Sequence, residues 1–223
     1  MRELRPGLWH WEAPHPEWEE SVQRGRVVSS YSLDDGSRLL LFDPLAPPTE
    51  IVELAAERET AIVLTCPWHE RDAQSLVERF GWPVFTPRPD GQEDLMRKYG
   101  VSAEDAAGGS PDLAWLLARE TGDAHLYAAG DRLSVGVEAF HGWEHNDVVL
   151  WIASHRAVVV GDTLVDFGQG LEINVGEWLP KLVTREQVVE RLRPLRSLPV
   201  EVVLATHGGP TDGTALERAL SGA

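Results

Sequence analysis

Residues 157–168, AVVVGDTLVDFG, place four apolar residues, three of them β-branched, directly before Gly161 and Asp162. A buried strand reads this way when it stops abruptly and presents a carboxylate at its carboxyl end. An Asp after Gly also caps turns through its own side chain, so one such ending says little alone. Residues 201–207, EVVLATH, end in the same manner and deliver His207 to a Gly-Gly-Pro turn. Two buried strands that each set down a polar residue commit the chain to a sheet-based α/β fold, with Asp162 and His207 as leading functional candidates.

The rest of the chain can be read around those two strands. Residues 8–12 predict a brief edge strand before a proline-broken loop, which leaves His10 and His15 in solvent. The β-rich runs 26–33 and 37–42, separated by Asp34-Asp35-Gly36, predict a hairpin, because Asp and Gly tolerate positive φ. The second arm ends at Asp43-Pro44. A helix over EIVELAAERE, capped by Thr49, and the strand AIVLT then predict a parallel crossover. The loop Cys66-Pro67-Trp68-His69-Glu70-Arg71-Asp72 leads into an amphipathic helix through AQSLVERF. It therefore lies at a strand's carboxyl end, where α/β folds gather their chemistry.

Residues 87–109 read as a surface excursion and PDLAWLLAR, 111–119, as a short helix. HLYAA, DRLSV, GVEAF, DVVLWIA and AVVVG read as strands, and 167–182 as a glycine-containing loop beside the site. Thr184 and Gln187 form a capping box for a helix to Leu195, and a last helix spans 214–220.

Charge and composition narrow the partners. At 223 residues the chain can bury the core of one domain, taken as 1–223. A formal net charge of -16 repels phosphate backbones and anionic lipid, so neither nucleic acid nor a membrane is an expected partner. The one cysteine, Cys66, excludes an internal disulfide; without a basic-then-apolar leader pattern, the expected location is cytoplasmic. No G-x-S-x-G elbow occurs, which leaves a serine hydrolase without its strand-to-helix turn.

With Asp43-Pro44, His69, Gly142, Gly161-Asp162 and Thr206-His207-Gly208 in that order, the chain resembles the metallo-β-lactamase superfamily along most of its length. The resemblance implies an α/β (α+β) architecture, the four-layer αββα sandwich, with zinc or iron along one edge. It implies hydrolysis of lactams, thioesters, lactones or phosphodiesters, with Asp162 as a bridging metal ligand and His207 as a terminal one. The match is incomplete. Where the family carries two histidines followed by Asp-His, counting back from the helix puts His69 at the last histidine. Counting forward from Thr65 puts Cys66 and Trp68 at the first two and Glu70 at the aspartate. The next family histidine is Trp143 here, with His141 and His145 nearby.

Two site compositions follow. In one, His69, Asp162 and His207 hold a metal, His145 or Asp72 completes the set, and His69 and Asp72 serve catalysis. In the other no metal binds, and Arg71 pairs with an aspartate in its place. Trp68, Trp143, Trp178, Cys66 and Arg71 are the expected pocket walls. The expected activity is a hydrolase for a small ester, thioester or lactone, with a homodimer as an allowed assembly. The alternative is a non-catalytic binding or structural protein of the same fold.

Overall fold

Strand β4 (Arg38–Phe42) shows how the molecule is layered: Leu39 and Leu41 enter one core, Leu40 and Phe42 another. Successive side chains leave a strand on opposite faces, so a run that is apolar throughout must be covered on both sides. β9 (Val148–Ile152) and β10 (Ala157–Val160) repeat the pattern. Val148, Leu150, Ile152, Ala157 and Val159 share the core of Leu40 and Phe42, whereas Val149, Trp151, Val158 and Val160 enter a third. Each such side chain, fully buried, contributes about 1.5–3 kcal/mol.

This computed structural model describes residues 1–15, 26–108, 124–175 and 183–221. Among them one sheet runs in chain order through β1 (Arg2–Arg5), β2 (Leu8–Pro14), β3 (Val27–Asp34), β4, β5 (Glu59–Val63), β6 (Val84–Pro87) and β7 (Ala124–Tyr127). Its first four strands are antiparallel and the rest parallel. β8 (Glu138–His141), β9, β10, β13 (Val202–Ala205) and β14 (Pro210–Asp212) form the second sheet, with β10 and β13 parallel. β11 (Leu164–Val165) and β12 (Glu172–Ile173) make a small ribbon between β10 and the following helix. α1 (Thr49–Ala55) and α2 (Ala73–Phe80) cover the outer face of the first sheet; α5 (Arg185–Leu192) and α6 (Gly213–Ser221) cover that of the second. The architecture is the four-layer αββα sandwich.

The capping box of α5 forms as expected, Thr184 accepting from the Gln187 backbone. Other expectations are corrected. β2 lies between β1 and β3 and is not an edge, because Arg2–Arg5 adds a strand outside it. Residues 87–109 contain α3 (Gln92–Tyr99) and α4 (Ala103–Gly108), short helices whose polar faces hid their period. DRLSV is a turn with one isolated bridge at Arg132, and Thr49 is the first residue of α1, after Pro48. The helix expected at 111–119 lies outside the described residues. Among the described residues no helix is long and apolar enough to cross a membrane.

Candidate metal centre

Parallel pairing puts the carboxyl ends of β4, β5, β10 and β13 at one rim, and each delivers a polar residue there. β4 ends in Asp43, in the left-handed region at φ 44, an uncommon conformation for a non-glycine residue that clusters at functional sites. Its carboxylate accepts from the Thr65 backbone N–H at 2.8 Å and from the Thr65 hydroxyl at 2.6 Å. After β5 a single 3-10 turn, Pro67–His69, started by Pro67, swings the His69 ring inward.

Three ligand-type atoms then converge. Asp162 Oδ1 is 3.1 Å from both His69 Nε2 and His207 Nε2, and the two nitrogens are 3.2 Å apart. Four ligands set tetrahedrally at metal–nitrogen bonds of about 2.0–2.1 Å lie about 3.3 Å from one another. The observed triangle has nearly that edge. His69 Nδ1 lies 2.9 Å from Asp43 Oδ2 and 3.1 Å from the Thr65 hydroxyl, whose proton already goes to Asp43. Both neighbours are acceptors, so Nδ1 carries a proton, and Nε2 is the ring nitrogen turned toward Asp162 and His207. A carboxylate behind a histidine is the usual way of fixing a metal-binding tautomer.

The electrostatics suit a cation. Burial works to lower the His69 pKa, but the Asp162 and Asp43 carboxylates outweigh it and raise it to about 9. Burial favours a neutral Asp162, yet His69 and His207 hold it well below the usual carboxylate range. His207 is shifted down, first by burial, and stays neutral.

A second aspartate supports the first. The fully buried Asp147 accepts from the Asp162 backbone N–H at 3.0 Å and from the Thr163 hydroxyl, which in turn accepts from the Trp143 N–H at 2.7 Å. Burial, then the Asp162 charge, raises Asp147 to about 7. A Cβ on Gly161 would come within 2.6 Å of Asp147 Oδ1 and 2.8 Å of the Thr65 hydroxyl, so only glycine lets these elements close on Asp162.

Of the expected site residues, His69, Asp162 and His207 are brought together. His145 is not brought in; it groups with Asp90 and Asp94. Nor is Asp72, whose carboxylate accepts from the Ala46 N–H at 2.6 Å. Arg71 pairs with neither aspartate. Its Nη1 donates to the backbone carbonyls of Asp43 (2.6 Å) and Ser29 (2.7 Å), positions reached because Arg71 itself adopts φ 46.

Cys66 lies buried near Asp147 and Asp162, and burial, with those two charges, pushes its thiol well above the ordinary range. Trp143 packs with Val149, Trp151 and the outer helices rather than at the rim. Trp68 is 44% exposed beside His69. Trp178 lies outside the described residues. His10, expected in solvent, is buried, and His15 stacks on His207 at 6.2 Å.

No family model matches the sequence, and no curated protein is similar to it. Solved structures are. A metallo-beta-lactamase family protein from Thermus thermophilus superposes with a TM-score of 0.63 at 18% identity, over 98% of this chain and 79% of that one. The chain has the metallo-β-lactamase fold. An archaeal metallo-beta-lactamase superfamily protein from Sulfolobus tokodaii gives a TM-score of 0.64 at 14% identity, covering 97% and 85%. TTHA1623, solved in a di-iron-bound form, gives 0.57 at 24% identity, covering 86% and 93%. Within this fold the sequence had left Asp43, Thr65 and Asp147 without roles. Asp43 follows an apolar run, the same signal that marked Asp162, whereas Asp147 precedes one, at the amino end of β9.

Proposed function

We propose that this chain is a metal-dependent hydrolase of the metallo-β-lactamase type, acting on a small ester, thioester or lactone. One zinc or iron ion would be held by His69, Asp162 and His207. The observation that carries the reading is the triangle of two Nε2 atoms and one carboxylate oxygen with edges of 3.1, 3.1 and 3.2 Å. When bound, such an ion supplies Lewis acidity to a carbonyl oxygen.

The chain's own groups do the rest. Asp43 fixes the His69 tautomer, and Asp147 fixes the Asp162 backbone. With Nδ1 committed to Asp43 and Nε2 to the triangle, His69 serves as a ligand and not as a base. His15 and Phe167 flank His207, with centroids at 6.2 and 6.3 Å, and together with Trp68 offer aromatic faces to an apolar substrate group. The charge of -16 favours neutral or cationic substrates over polyanions.

The test is metal content after purification without chelator, followed by hydrolysis of a panel of chromogenic esters, thioesters and lactones. Stoichiometric zinc or iron, with turnover lost on chelation and in Asp162→Asn, supports the reading. Metal far below stoichiometry, with turnover untouched by Asp162→Asn, sinks it.

A metal-free binding protein is the second reading. One observation favours it: a doubly protonated His69 links Asp43 to Asp162 without any ion.

A further inference from the structure

His207 sits past the end of β13, where a strand offers no further ladder to hold it. The surrounding carbonyls are caught from the first sheet instead. Tyr31 donates its hydroxyl proton to Ala205 O at 2.7 Å, the Ser29 N–H donates to Thr206 O at 2.9 Å, and the Ser29 hydroxyl donates to Gly208 O. From the other side the Asp166 N–H donates to His207 O at 2.8 Å. Gly208, at φ +117, lies so close to Asp166 that a Cβ would come within 2.6 Å of the Asp166 carbonyl oxygen.

Ser29 is fully buried and its hydroxyl has one proton. That proton goes to Gly208 O, which can only accept. His10 Nε2 lies 2.9 Å from the same Ser29 oxygen, so the contact forms only with Nε2 as donor. The ring of His10 is fixed where it can donate, being 7% exposed and stacked on Tyr31 at 5.1 Å and 25°. Burial foremost, then Arg2, lowers its pKa to about 4, which keeps it a single-proton donor at neutral pH.

We infer that His10 is a positioning residue for the metal centre, holding His207 in its ligand orientation through the chain His10 Nε2–H, Ser29 hydroxyl, Gly208 carbonyl. The inference rests on the reading of His207 as a ligand. A donated hydrogen bond to Ser29 leaves that hydroxyl no choice of rotamer, so the Gly208 peptide and the ring before it keep one orientation. Outer partners that orient a ligand commonly shift metal affinity by about 10–100-fold, and one acting through the adjacent peptide belongs at the lower end.

The experiment compares five full-length proteins: wild type, Ser29→Ala, His10→Phe, which keeps the ring stack without the donor, the Ser29→Ala/His10→Phe double variant, and His10→Gln, which restores an N–H near the Nε2 position. Zinc affinity is read by competition with a chromophoric chelator, and the His207 ring signals by proton–nitrogen NMR of the metal-free form. The expected result is about tenfold weaker zinc binding in His10→Phe and Ser29→Ala, no further loss when the two are combined, and recovery in His10→Gln. The His207 ring signals should shift or broaden in His10→Phe and return in His10→Gln. Zinc affinity and His207 signals both unchanged in His10→Phe would overturn the inference, as would equal losses in His10→Phe and His10→Gln. Should wild type bind neither zinc nor iron, the hydrolase reading fails, while the NMR comparison still decides whether His10 positions His207.

Discussion

His69 and His145 each stand between two carboxylates, and each belongs to a group with metal-ligand spacing, but different cations answer those carboxylates. His145 Nε2 is 3.5 Å from Asp90 and its Nδ1 is 3.7 Å from Glu144, with 41% of its side chain in solvent. Those carboxylates already have a cation: the buried Lys98 ammonium lies 2.7 Å from Asp90 and 3.5 Å from Glu144. Asp43 and Asp162, by contrast, form salt bridges only with imidazoles among the described residues. An imidazole gives up its proton to a metal at accessible pH, whereas a paired ammonium does not leave. Two clusters of similar composition therefore differ in whether their positive charge can be exchanged for an ion.

The largest effect expected from breaking that contrast is on stability. Asp90→Asn leaves Lys98 buried beside a neutral partner, and stranding one member of a buried pair costs about 3–5 kcal/mol. Chemical denaturation should show this loss, while zinc affinity stays within about twofold of wild type. A zinc affinity that fell with Asp90→Asn would mean the two clusters are one site.

Next comes Asp162→Asn, the mirror image. Zinc binding should weaken by more than about 100-fold, since a ligand is removed and not merely an outer partner. The competition titration proposed for the His10 variants measures it. Stoichiometric zinc retained at wild-type affinity would move the centre elsewhere, with Cys66 and Asp147 as the nearest alternative donors.

How much of this was legible in the sequence follows from where the signals lie. The strands announced themselves because runs such as VVLWI and AVVV are buried on both faces, and only a sheet covered on both sides can bury them. Asp162 and His207 were legible as strand-end residues for the same reason. The clusters were not: Lys98 lies eight residues from Asp90, on a helix whose polar face gave no period, and nothing local says that its amine points inward. His10 was misread because its segment is rich in proline and charge. What buries it is pairing on both sides, opposite Arg2 of β1 and Tyr31 of β3, which its own polar segment does not announce. Arg71 stands in for the ion only in the metal-free alternative, and a left-handed backbone turns it to carbonyls.

A third expectation sharpens the contrast through protons. Zinc must displace the proton that holds His69 as an imidazolium, and with that pKa raised to about 9 in the metal-free protein the two compete across neutral pH. Apparent zinc affinity should rise about tenfold per pH unit up to about 9 and level off above it. A flat profile between pH 7 and 9 would show that His69 is not a ligand.

The smallest expected effect sets His69 against His10, two buried imidazoles with opposite shifts. The folded pKa of His69 is raised above the ordinary 6.5, so its stabilising contribution to the metal-free protein is complete below about 6.5 and is lost as pH rises through about 9. His10 is depressed to about 4, so the unfolded chain binds the extra proton first. Its contribution is present above 6.5 and is lost as pH falls through about 4. Metal-free wild type should therefore lose stability on both limbs, and His10→Phe should flatten the acid limb alone. Saturating zinc should flatten the alkaline limb alone, because the metal takes the neutral ring that high pH produces. Thermal melts across pH 4–10, with and without zinc, separate the two. If zinc acted instead on the acid limb, the imidazole it engages would be His10, and the rim triangle would hold protons only.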